Sequence, residues 1–244
     1  MTAGNTATDG GLKALKRDLR AAASREKAAV LRRFFRTGPG GYAEGDVFIG
    51  VTVPRQRAIA QRHIILAFTD LAVLLRSPVH EERMTALLIL TYRAARADAE
   101  DRRRILDFYL THLDAVNNWD LVDLSADKIV GAALDGHAGD ALARMARSRN
   151  MWERRIAMVA TFHFIKQHRA DEALRVARLL LHDEHDLIHK AVGWMLREVG
   201  KRCSRDTLES FLKPRYRSMP RTMLRYAIER LPDERRAAYL AGAV

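Results

Sequence analysis

Trp119 and Asp123 stand four residues apart in the run Asn118-Trp119-Asp120-Leu121-Val122-Asp123. That spacing puts an indole and a carboxylate on one helical face, with Asn118 in position to cap the helix. Such a pair is unusual for a basic surface, and it can hold positive charge. The same spacing also fits a packed indole beside a surface carboxylate, so both readings stay open. A second group is Met151-Trp152-Glu153-Arg154-Arg155, in which Trp152 is expected to pack inside and Arg155 to project outward. A third is Lys190, Trp194 and Arg197, whose steps of four and three share one face. That face carries two cations beside an indole, where a core stripe would carry apolar residues. Phosphate or another polyanion is the natural ligand for such arginines and lysines.

Other chemistries find less support. Of His182, His185 and His189, the last two are four apart and could share a metal, but apart from the loop acids Asp183 and Glu184 no third ligand is assembled near them. They read as the start of a helix, and neither a metal nor a cofactor is expected. No phosphate-binding loop, dinucleotide fingerprint or nucleophile elbow occurs. The glycines from Gly38 to Gly45 lack the preceding strand that a phosphate loop needs.

The elements that must position these residues are helices. Apolar stripes at helical spacing begin with Leu12, Leu15 and Leu19, and a second begins with Ala29, Leu31, Phe34 and Phe35. The glycine-rich stretch after Thr37 breaks the pattern, and Phe48–Val53 reads as extended loop because a lone strand has no partner. Pro54, Ser77-Pro78 and Asn150 mark helix starts. Polar or basic residues recur within apolar helices at Arg83, Trp119, Arg155, Lys190 and Arg225, at intervals of 36, 36, 35 and 35. Two helices fit one such period, which points to an all-α solenoid of stacked helix pairs. Arg83, Arg155, Lys190 and Arg225 would then form a row along a basic concave groove, with Trp119 and Asp123 in its middle.

Composition agrees with a folded partner of polyanions. The chain has 244 residues, 48% hydrophobic and 30% charged, with only 14 glycines and 6 prolines. Lys and Arg exceed Asp and Glu by 42 to 30, a net charge of +12. A charge of this sign concentrates nucleic acid at the surface. Cys203 is the sole cysteine, which rules out an internal disulfide and fits a reducing compartment. No apolar run approaches membrane-spanning length. Residues 1–10 read as a loose polar tail and 11–244 as one domain. Asp18 and Glu26 argue against a transit peptide in the basic helix that follows the tail.

Several motifs in order resemble the AlkD family of HEAT-like repeat DNA glycosylases. They are Phe34-Phe35 with Gly38-Pro39-Gly40, Tyr42 through Asp46, Phe48 through Pro54, Asn118 through Asp123, Trp152 through Arg155, and Lys190 through Glu198. The likeness runs from about residue 12 to about residue 230. It implies an enzyme that removes purines alkylated at N3 or N7 from duplex DNA. Asp123 matches the family's catalytic aspartate and Trp119 the aromatic residue before it. Arg155 and Trp194 match residues that contact the lesion. Lys190, Arg197, Arg83 and Arg225 would hold the DNA backbone. The partner implied is double-stranded DNA carrying alkylated bases, bound by a monomer in the bacterial cytoplasm. The alternative is a catalytically silent HEAT-like protein that recognises unusual DNA shape, which needs the groove but not Asp123. A protein-binding scaffold is the other common use of such folds, and it would want apolar or mixed-charge anchors instead.

Overall fold

The structure is a computed structural model that describes residues 6–136 and 140–244, with side chains described from residue 10 onward. The chain divides into two compact units, residues 1–125 and 126–244. The described residues are helical, with turns and loops between, and include no strand beyond an isolated bridge of Val47 with Val79. That bridge leaves residues 48–52 as the extended loop expected, and Val53 already opens the next helix.

The first unit contains α1 (Thr6–Ala21), α2 (Arg25–Phe34), α3 (Val53–Arg62), α4 (Phe68–Leu75), α5 (His80–Ala94), α6 (Ala99–Thr111) and the start of α7 (Trp119–Ala126). The tail read over residues 1–10 lies partly outside the described residues, and Thr6 onward belongs to α1. Leu15 and Leu19 of the first stripe are fully buried. The second stripe is offset from the one expected. Ala28 and Phe35 are buried and Leu31 half-buried, whereas Ala29 and Phe34 face outward. Steps of three and four from Ala28 define that inward face, and Phe34 is 61% exposed. α5 is buried nearly all round, from His80 through Thr91, and packs against α3, α4 and α6. A helix surrounded in this way must bury its polar residues as well, and each of those then needs a partner.

The second unit holds a π-type turn (Asp127–Gly131), then α8 (Ala141–Ala146), α9 (Met151–Ala160), α10 (Phe162–Ile165), α11 (Asp171–Leu179), α12 (Asp186–Arg202), α13 (Arg205–Leu212), α14 (Arg221–Ala227) and α15 (Asp233–Ala241). Here α9 packs on α12 and α12 on α14, while α8 packs on α11. Helices that are not neighbours in the chain therefore stack, which is consistent with a solenoid of layered helices. The five recurrent positions fall on α5, α7, α9, α12 and α14, with one helix between successive members except for α10 and α11 between α9 and α12.

Caps explain several boundaries. Asn150 Oδ1 accepts from Trp152 N at 2.9 Å, as expected of the residue before α9. Pro54 lies in the first turn of α3. Ser77 Oγ accepts from Val79 N at 3.1 Å just ahead of α5. Asn118 does not cap α7 as expected. Its side-chain amide is fully buried without a hydrogen-bond partner among the described residues, and Asp120 Oδ1 instead accepts from Leu121 N at 2.8 Å.

Candidate active site

In the first unit, the start of α7 forms one wall of a cavity of about 580 Å³. Trp119, Asp120, Asp123 and Leu124 line it from α7, and Val30, Phe34, Phe35, Phe48, Val51 and Met84 supply most of the rest. Leu121 and Val122 point the other way and are fully buried. The helical turn thus does what the spacing required, presenting Trp119 and Asp123 together while its apolar neighbours anchor it. Asp123 is half-buried against this mostly apolar lining, where a carboxylate acts more strongly on nearby charge than it would in open water. Tyr109 registers that charge. Burial pushes its phenol well above the ordinary range, a hydrogen bond of 3.0 Å with Ser125 opposes the rise, and Asp123 adds to it.

The indole of Trp119 is held from several sides. Its Nε1–H donates to Tyr42 Oη at 3.0 Å. Phe35 stacks on it with centroids 5.2 Å apart, and Phe34 meets it edge-on at 5.9 Å.

Behind this wall lies a cluster that the sequence reading did not single out. The imidazole of His80, 2% exposed, stands between two carboxylates. Nδ1 is 3.0 Å from Asp46 Oδ2 and Nε2 is 2.8 Å from Asp120 Oδ2. Phe48 stacks on the ring at 4.5 Å. Burial disfavours charge on His80, but the hydrogen bonds to Asp120 and Asp46 outweigh it and hold the ring's pKa above 6.5. Burial likewise opposes charge on Asp46, and the bonds from His80 and Arg83 outweigh it, keeping that carboxyl below its usual range.

Arg83 belongs to this cluster, which corrects its expected place in a groove. Its guanidinium reaches both oxygens of Asp46 at 2.7 Å and Ser77 O at 3.1 Å, and the residue is 5% exposed. A cation so enclosed and paired is not available to phosphate. The sequence signal that marked it was real periodicity, but α5 is covered on every side.

The second unit holds the remaining candidates. Trp152 and Arg155 exchange their expected places. Trp152 is only half-buried, while Arg155 is 5% exposed and donates to the carbonyl of Leu187 at the start of α12. Arg155 thus fastens α9 to α12 instead of projecting freely, since a buried guanidinium must find acceptors within the protein. Lys190, Trp194 and Arg197 are half-buried on α12, with Ala191, Val192, Gly193, Met195 and Leu196 buried between them, so the shared face is present. Lys190 Nζ lies 2.7 Å from Asp186, Arg197 pairs with Glu229, and Trp194 contacts Phe162 at 5.9 Å between centroids. Arg225 on α14 is exposed. The two histidines have partners at a helix start. His185 Nδ1 accepts from Leu187 N at 3.1 Å, and His189 bonds the carbonyl of Asp183. Cys203 is half-buried, and burial raises its thiol pKa.

Residues 15–231 match the family model described as DNA alkylation repair enzyme. The chain belongs to that family. Its family work is therefore the repair of alkylation damage in DNA, as the AlkD resemblance implied. Solved structures share the fold at low identity. A predicted DNA alkylation repair enzyme from Enterococcus faecalis is 18% identical, with 86% of this chain and 97% of that one covered and a TM-score of 0.67. AlkD2 from Streptococcus mutans is 17% identical, covering 93% of this chain and 100% of that one, with a TM-score of 0.57. Among curated proteins, none matches the chain. No helix among the described residues is long and apolar enough to cross a membrane.

Proposed function

We propose that this family member is a DNA N-glycosylase that releases cationic purines alkylated at N3 or N7 from duplex DNA. The observation that carries the reading is Asp123 beside Trp119 on one wall of an apolar cavity. Alkylation at N3 or N7 leaves the purine positively charged and already a good leaving group, so a strong general acid is not required. Cleavage of the glycosidic bond instead builds positive charge on the sugar. One carboxylate then suffices to stabilise that charge and to orient the attacking water. Asp123 is assigned this role. The π faces of Trp119 and Trp194 suit a cationic nucleotide. Lys190, Arg197 and Arg225 are assigned to the flanking phosphates, the first two by exchanging their present carboxylate partners for the DNA. Arg83 has no part in this. Arg155 supports the reading only as the residue that ties α9 to α12.

The reading predicts selectivity by charge, with excision of cationic adducts and little action on neutral ones. The decisive test is Asp123→Asn on methylated duplex DNA, with free N7-methylguanine and N3-methyladenine measured by mass spectrometry. The variant should bind DNA as the wild type does and lose most base release. Undiminished release by the variant would overturn the assignment.

A further inference from the structure

The glycine-rich loop has no place in the chemistry just described, yet it reaches the site twice. Loop 36–52 places Tyr42 against the indole of Trp119 and Asp46 against the imidazole of His80, which in turn holds Asp120. Trp119 and Asp120 are consecutive residues in the first turn of α7, and Asp123 follows one turn later on the same face. One loop therefore grips both side chains that fix how this turn presents its carboxylate. We propose that loop 36–52 is a clamp on α7, with Tyr42 and His80 as positioning residues for Trp119 and Asp123.

The loop is built to be rigid where it grips. The buried carboxylate of Glu81 accepts from the backbone N–H of Ile49, Gly50 and Val51, at 2.7 Å for Gly50. Val47 N donates to Pro78 O and His80 N to Val47 O, both at 2.9 Å. Gly50 has φ +82°, and a Cβ there would fall 2.1 Å from Ser24 O, so only glycine allows this close crossing of α2. Gly40 N donates to Glu44 at 2.8 Å within the turn that carries Tyr42.

Protonation governs the second grip. Both ring nitrogens of His80 face carboxylate oxygens, and a neutral imidazole has one N–H to offer. Only the imidazolium can donate to Asp46 and Asp120 together. The charged groups around it are Asp46 from the loop, Asp120 from α7, and Glu81 and Arg83 from α5 itself; Phe35 and Phe48 complete its surroundings. Loss of the proton removes one of the two bonds and leaves a carboxylate facing a lone pair. The double grip, on Asp46 and Asp120 together, is therefore present below pH 6.5 and is lost as pH rises through the elevated pKa of His80.

The relevance to catalysis rests on the glycosylase reading, so the test has a readout that does not. The three indole N–H signals of the protein labelled with ¹⁵N-tryptophan, assigned with Trp→Phe variants, report on Trp119 directly. Tyr42→Phe keeps the ring and removes the acceptor. It should speed exchange of the Trp119 Nε1–H by about fivefold to tenfold, the scale of one lost hydrogen bond, and leave the other indoles unmoved. In the wild type the Trp119 signal should titrate with a midpoint above pH 6.5, and His80→Gln should abolish that titration. On methylated duplex DNA, Tyr42→Phe should lower kcat by about tenfold or more with KM little changed, because a misplaced group loses rate before affinity. His80→Asn, if it restores activity lost in a poorly folding His80→Gln, supports the same role. A Trp119 signal indifferent to Tyr42→Phe and to pH overturns the clamp even if excision is robust. Absence of excision by the wild type, with the indole responses as expected, overturns the glycosylase reading and leaves the clamp standing.

Discussion

At the scale of single residues, burial separates cations enclosed within the fold from cations at its surface. Arg83 and Lys190 occupy equivalent places in the sequence period, yet the first is enclosed with Asp46 and the second is 40% exposed at its side chain. Removing one partner from a buried ion pair leaves an uncompensated charge, which costs roughly 3–5 kcal/mol. Arg83→Leu should therefore lower unfolding stability by about 3 kcal/mol, measured by urea denaturation. A loss of DNA affinity with stability intact would instead return Arg83 to the DNA surface. Nothing in the residue types of Arg83 and Lys190 distinguishes them. The distinction comes from Asp46, 37 positions away in the chain, and its approach is decided by the loop.

At the scale of helices, close approach is bought with glycine. Gly193 precedes Trp194 on α12, and a Cβ there would fall 2.5 Å from Met223 O and from Tyr226 Cβ on α14. The contact is with backbone, so neither helix can yield by turning a side chain. Gly193→Ala should push α12 from α14 and destabilise by about 1–3 kcal/mol, the usual range for overpacking, as read by thermal or urea unfolding. Trp194 and Arg225 lie on the two helices concerned, so DNA binding should weaken in parallel. An unchanged melting curve would show that the two helices are less tightly apposed. The helices themselves were legible from apolar spacing, as Leu15 and Leu19 illustrate. The exact inward face of α2 was not, since Phe34 and Phe35 are adjacent and only packing chooses between them.

At the scale of the whole molecule, the excess of 42 basic over 30 acidic residues is the property that reaches furthest. Each phosphate neutralised by a cation releases counterions, giving a slope of about −0.9 in log affinity per log salt. Binding to duplex DNA should weaken steeply with salt, and Lys190→Ala and Arg225→Ala should each flatten the slope by about 0.9. Arg83→Leu should leave it unchanged. Fluorescence anisotropy between low and high salt measures all three, and an affinity indifferent to salt would remove the electrostatic basis for DNA binding.

The sequence by itself determined the helical class, the pairing of helices within a period of about 35 residues, and the presentation of Trp119 with Asp123 on one face. These are local properties, set by spacing along the chain and by helical geometry. Tertiary structure alone decided which arginines are buried, that Trp152 is half-buried while Arg155 is enclosed, and that His80 sits between Asp46 and Asp120. Those outcomes depend on what lies across the fold from each side chain, with partners 34 and 40 positions away for His80. A buried charge is tolerated only where such partners converge, and convergence across that distance leaves no mark in local spacing.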